Sequence, residues 1–235
     1  MAAPRTPRGL VTLGPEWLLA GVTAVLVAFH YAARADTIGV LGAGGSWSPL
    51  TRPPLEPASH FLVAALLLGV GPVLAAWLCG IPLERLGLGR GRVARGIGWL
   101  AVGLPLAVLA GYIGASSPAV RTVYPLGGGL RPTPGAFIPH ALLQFLYFGA
   151  WEVLFRGVLL LGLRDRLGAG PANLVQTALS VVAHFGRPMD ETIAALPAGL
   201  LFGWVDLRIG SVWYIAVVHW AVGMSLDWFI LTRGA

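Results

Sequence analysis

From Ala58 to Cys79 the chain runs for 22 residues without one charged side chain. At 1.5 Å per residue a helix of that length crosses about 30 Å, the thickness of a bilayer's hydrocarbon core. Six more stretches have the same character, so that seven spans are expected at about 16–33, 58–79, 95–115, 137–163, 171–185, 191–206 and 211–231. The fifth and sixth are short and are separated by the tight segment His184-Phe185-Gly186-Arg187-Pro188-Met189-Asp190. In lipid every backbone N–H and C=O must be paired within the protein, which leaves helices as the economical solution. The expected fold is all-α, a polytopic membrane helical bundle of about seven transmembrane helices. Residues 1–235 read as a single integral membrane domain, with N-terminal apolar spans in 1–115 and a more polar half in 137–231.

Composition excludes the alternatives. Hydrophobic residues make up 56% of the 235 and charged residues 11%, and the mean hydropathy is +0.76. A soluble domain could not cover such a chain with polar surface. Cys79 is the only cysteine, which excludes a disulfide scaffold. The net charge of +6 is carried by arginine alone, there being no lysine. That usage suits a GC-rich bacterial gene, and the arginines are scattered, so no nucleic-acid partner is expected. Arg5 and Arg8 before the first span resemble a signal peptide, but no small-residue cleavage site follows, and the span is read as an anchor.

Arginine placement suggests an orientation. With the N-terminus inside, nine arginines fall on inner segments (Arg5, Arg8, Arg85, Arg90, Arg92, Arg95, Arg164, Arg166, Arg208) and six on outer ones (Arg34, Arg52, Arg121, Arg131, Arg187, Arg233). The loop at 80–95 is the cytoplasmic candidate. The segments at 36–57 and 116–135, rich in Gly and Pro, read as irregular connections. The expected location is a bacterial cytoplasmic (inner) membrane, with lipid as partner.

The first three spans are almost purely apolar, while the last four hold the polar residues. An ionisable side chain within a bilayer costs at least about 2.5–3.5 kcal/mol and marks function by default. The positions concerned are His140, Gln144, Glu152 and Arg156 in span four, Asn173, Gln176, Thr177, Ser180 and His184 in span five, and His219 and Asp227 in span seven. Glu191 begins span six and Asp206 ends it. Span five places its polar residues on one helical face, which makes either an interhelical hydrogen-bond seam or the wall of a wet cavity. Glu152 and Arg156, four apart, form an ion pair on one face. His30, His60 and His140 read as interfacial or packing residues.

Depth brings three of these together. Measured from the face bearing the 164–170 loop, Glu152 lies roughly 16 Å deep, His184 roughly 21 Å and His219 roughly 13 Å. A carboxylate and two imidazoles from separate spans thus share a level.

The segment Trp151-Glu152-Val153-Leu154-Phe155-Arg156-Gly157 resembles the first signature, Glu-Glu-x-x-x-Arg, of the CPBP intramembrane proteases, the family of the CAAX-prenyl endoprotease and the bacterial Abi proteins. Ser180-Val181-Val182-Ala183-His184 resembles the second signature, Phe-x-x-x-His. His219-Trp220-Ala221-Val222-Gly223 resembles the third, His-x-x-x-Asn/Asp. The departures are Trp151 for the first glutamate, Ser180 for the phenylalanine and Gly223 for the asparagine or aspartate. The string His-Phe-Gly-Arg-Pro-x-x-Glu ending at Glu191 looks like a bacterial branch with Trp-Glu in motif one and a later aspartate, here Asp227, which lies eight residues past His219, about 80° around the helix.

The resemblance covers roughly 137–231, the catalytic core it implies, and makes the chain an intramembrane endopeptidase hydrolysing a peptide bond in or near the bilayer. Glu152 would act as general base on water, with His184 and His219 orienting that water or stabilising the oxyanion. Arg156, Glu191, Asp227 and Ser180 would support them. Glu191 at a helix start also reads as a cap favoured by the macrodipole. A metal-independent, glutamate-type mechanism is favoured, though Glu152, His184 and His219 also suit a divalent metal such as zinc. The substrate would be a peptide, a bacteriocin-like molecule or a membrane-protein tail. The competing readings are a non-catalytic protein of the same fold, serving immunity or as a scaffold, and a small transporter, which an inverted repeat would accompany and which this sequence lacks.

Overall fold

The computed structural model describes residues 14–33, 57–126 and 128–233. The expected connection at 36–57, apart from Pro57, lies outside them, as do Arg5, Arg8, Arg34 and Arg52. The protein is an integral, multi-pass membrane protein with an all-α fold, and among the described residues there is no strand, only an isolated bridge between Phe185 and Arg187.

Among the described residues six helices are long and apolar enough to cross a membrane: α1 (Pro15–Ala32), α2 (Pro57–Leu78), α3 (Val93–Gly114), α4 (Pro134–Leu167), α6 (Met189–Ile209) and α7 (Trp213–Thr232). Between α4 and α6 lies α5 (Ala169–Ala183), only 15 residues long. The seven-span expectation is therefore corrected at the fifth, which is about 22 Å long and ends with His184 at its C-cap. The expected sixth span was also too short. α6 continues to Ile209 because Asp206, where hydropathy ended the span, is wholly buried inside the bundle.

α4 is the axis of the protein. It starts at Pro134, where a residue without an N–H costs nothing, and runs for 34 residues. Its middle, Val153–Leu161, winds as a π-helix. Leu154, Phe155, Leu159, Leu160 and Leu163 are wholly buried there. Gly168, at φ 84°, takes a backbone conformation that other residues resist and lets α5 turn back along α4.

Glycines set the helix spacing on the other side. A Cβ on Gly111 of α3 would lie 2.5 Å from Ser225 Cβ and 2.6 Å from the Leu226 nitrogen of α7, and one on Gly103 would lie 2.7 Å from Val218. Small residues at such a seam let membrane helices approach closely enough for dispersion to hold them. The α5–α6 seam works alike, with Gly199 against Thr177 and Gly203 against Asn173.

Candidate functional site

Span five resolves into two parts. Asn173 donates to the Leu200 carbonyl at 3.0 Å and Gln176 to the Gly199 carbonyl at 3.0 Å, with further bonds from Gln176 to Asn173 and Thr177 at 2.7 Å. This face is an interhelical hydrogen-bond seam with α6, the first of the two readings that its pattern allowed. The bare Cα positions of Gly199 and Gly203 bring α6 close enough to absorb those polar groups. Only His184, at the far end, reaches the cavity.

The cavity holds about 50 Å³ and is lined by residues of α2, α4, α6, α7 and the two neighbouring connections, among them Trp151, His184, Arg187, Glu191, His219 and Asp227. That is room for about three or four waters. His184 and His219, on separate elements, share its wall.

His219 is fixed from behind. Its Nδ1 lies 2.6 Å from Glu152 Oε1, and Arg156 Nε lies 3.1 Å from Glu152 Oε2. Glu152 is wholly buried and Arg156 nearly so. The ion pair explains how both enter the bilayer, since an unpaired charge there would be very costly. Phe148 packs on the His219 ring with centroids 4.5 Å apart, and Phe202 packs at 5.6 Å. With Nδ1 committed to the carboxylate, Nε2 is the nitrogen left for chemistry. Glu152 is not on the cavity wall. Trp151 takes that wall instead, edge-on to His184 at 5.2 Å and stacked with Phe155 at 4.6 Å.

His184 is fixed by its own helix, its Nδ1 donating to the Ser180 carbonyl at 2.7 Å. The contribution of Ser180 is thus a backbone oxygen at the end of a buried turn. Gly186, at φ 91°, reverses the chain after His184, and Pro188 caps α6. The Thr192 hydroxyl donates back to the His184 carbonyl at 3.2 Å. This turn brings Glu191 Oε1 to 3.9 Å from His184 Nε2. Tyr124 places its hydroxyl 2.9 and 2.8 Å from the two Glu191 oxygens. Burial holds the Tyr124 phenol well above its usual pKa, so it stays protonated and donates.

Asp227 reaches the same cavity two turns beyond His219. Its Oδ2 lies 2.8 Å from His140 Nε2 and accepts from Gln144 at 2.7 Å. His140, read from the sequence as an interfacial or packing residue, is a buried member of this polar network. Gly223 makes room for it, because a Cβ there would lie 2.6 Å from Phe148 and 2.9 Å from Gln144 Oε1. His60 is buried among the rings of Phe29, Phe61 and Tyr147, while His30 is exposed beside Tyr31.

Among the described residues no three His, Cys, Asp or Glu side chains converge to hold a metal ion. Glu152, His184 and His219, which in the sequence also suited zinc, form no such group.

Tyr124 and Arg187 were not among the sequence candidates. Tyr124 lies in a connection outside every span, where no hydropathy rule looks. Arg187 was visible only as part of the string around the α5–α6 turn.

Residues 134–225, from the start of α4 through most of α7, match the family model described as type II CAAX prenyl endopeptidase Rce1-like. This likeness supports a hydrolase in general. No curated protein and no solved structure matches the chain.

Proposed function

We propose that this protein is an intramembrane endopeptidase that cuts a peptide or membrane-protein tail in or near the bilayer, by a glutamate-activated water and two histidines. The observation that carries this reading is one cavity, within a membrane bundle, walled by His184 and His219 from separate elements and by carboxylates. Peptide hydrolysis needs a polarised water and a donor for the oxyanion, both in a site that excludes bulk solvent. His219 Nε2 is the donor. In the form of the ring that carries both hydrogens, Nδ1–H donates to Glu152 and Nε2–H is presented to the developing charge. Glu152 therefore acts through His219, as a positioning residue. Ser180 does the same for His184, whose Nε2 lone pair is left to orient the water. Asp227, with His140 and Gln144, closes the inner end of the cavity.

Arginine-only basic usage and the arginine bias support a bacterial cytoplasmic membrane with the 80–95 connection inside. The proposed substrate class is an unmodified peptide segment.

A second reading, a non-catalytic immunity or scaffold protein, is favoured by Trp151 standing where the resemblance expects a glutamate. The contact of Glu152 with His219 supports the first reading, since a relic site has no reason to keep a 2.6 Å bond between α4 and α7.

The test is cleavage of an internally quenched random-peptide library by purified protein in detergent micelles. His184→Ala and His219→Ala should each abolish cleavage while the proteins elute and melt like wild type. Cleavage that is the same in wild type and both variants belongs to a contaminant, and would sink the endopeptidase reading.

A further inference from the structure

A peptide-hydrolysing water needs a proton acceptor on the cavity wall, and α4 offers none. Trp151 occupies the wall and Glu152 lies behind His219. A carboxylate nonetheless stands beside His184, carried by another helix. Resting on the endopeptidase reading, we infer that Glu191 is the general base that takes the proton of the attacking water, so that the missing carboxylate of α4 is supplied across the cavity by the first turn of α6.

The geometry suits one water. The 3.9 Å between Glu191 Oε1 and His184 Nε2 is too long for a direct hydrogen bond. A water seated in hydrogen-bond contact with both atoms fits such a gap. The His184 Nδ1–H is spent on the Ser180 carbonyl, so in the neutral ring Nε2 is an acceptor. The water then donates one hydrogen to Nε2 and one to the carboxylate, and its lone pairs are left for a carbonyl carbon. Trp151, edge-on to His184, holds that ring in place.

The surroundings hold the Glu191 carboxylate in place. Tyr124 donates to the carboxylate from the connection before α4. The N-terminal turn of α6 favours negative charge. From the α5–α6 turn come His184 and Arg187, whose guanidinium lies 3.4 Å from the Tyr124 hydroxyl. Tyr147 faces the cavity from α4 and His219 from α7. Asp190, next in sequence, is occupied with the Ser117 hydroxyl. The Glu191 side chain is 27% exposed, so water can reach it.

The step balances with one water and no other reagent. As the water oxygen bonds to the scissile carbonyl carbon, its proton passes to Glu191, and the carbonyl π pair becomes an oxyanion bonded to His219 Nε2–H. Collapse of that intermediate breaks the C–N bond, and the leaving amine takes the proton back from Glu191.

The experiment measures kcat on the quenched-peptide library in detergent for wild type, Glu191→Gln, Glu191→Ala, Tyr124→Phe and His219→Ala. Glu191→Gln should lose about a hundredfold or more in kcat with little change in KM, and sodium formate should restore part of the activity of Glu191→Ala. Tyr124→Phe removes the hydroxyl that holds the carboxylate and should lower kcat with KM nearly unchanged. A Glu191→Gln enzyme that keeps more than a tenth of wild-type kcat, beside an inactive His219→Ala, overturns the role of Glu191 and leaves the endopeptidase standing. Activity that survives His219→Ala undiminished overturns the endopeptidase itself. Should Glu191→Gln fail to fold, the kinetics of Tyr124→Phe decide, and an unchanged kcat counts against the proposal.

Discussion

Glu152 and His219 meet across 2.6 Å between α4 and α7, with Glu152 wholly buried and His219 on the cavity wall. The carboxylate thus faces the imidazole and not the water. Glu152→Gln is isosteric and removes the carboxylate that fixes His219 Nδ1, but it leaves the buried Arg156 without its counter-charge, so a lower melting temperature is expected as well and kcat is read per folded molecule. A fall of about 10- to 100-fold in kcat with KM nearly constant is expected, the usual cost of removing a group that orients a catalytic one. Steady-state kinetics on the quenched peptides would check it, and an unchanged kcat would break the link.

Arg156 matters for folding as much as for chemistry. Arg156→Met leaves Glu152 as an uncompensated buried charge and should cost about 3–5 kcal/mol. The double variant Glu152→Leu with Arg156→Met removes both charges, and its melting temperature in detergent should recover most of that loss without any return of activity. A double variant no more stable than Arg156→Met would contradict the pairing.

Gly223→Asn restores the residue that the resemblance expects, and yet should make the protein worse. The new Cβ would press on Phe148, which packs on the His219 ring, and on Gln144 of the Asp227 network. Overpacking of this kind costs about 1–3 kcal/mol. A lower melting temperature and weaker cleavage are expected, with the melting temperature partly regained when Phe148→Ala is added. Full activity in the single variant would show that the space at Gly223 is not needed.

The α5–α6 seam offers a control. Gln176→Leu removes the hydrogen bond to the Gly199 carbonyl and should lower stability by about 0.5–2 kcal/mol, while cleavage per folded molecule stays at the wild-type value. A selective loss of kcat would mean that the polar face of α5 takes part in the chemistry after all.

Hydropathy alone was enough to read the all-α membrane fold, because a bilayer gives a chain almost no other way to satisfy its backbone. The Glu152–Arg156 pair was equally legible, since residues four apart on a helix are neighbours whatever surrounds them. The common level of Glu152, His184 and His219 could be counted from helix rise. Rise says nothing of rotation about the helix axis, however, and rotation set the site. Trp151 and Glu152 are adjacent in sequence and about 100° apart around α4, so one faces the cavity and the other the back of His219. The approach of α6, controlled by the bare Gly199 and Gly203, turned the polar face of α5 into a seam. The turn at Gly186 carried Glu191 to His184, and Tyr124 arrived from a connection that belongs to no span. Such meetings depend on which faces of neighbouring helices interlock and on how turns bend between them. Those are properties of packed volume and backbone angle, and only the tertiary structure could decide them.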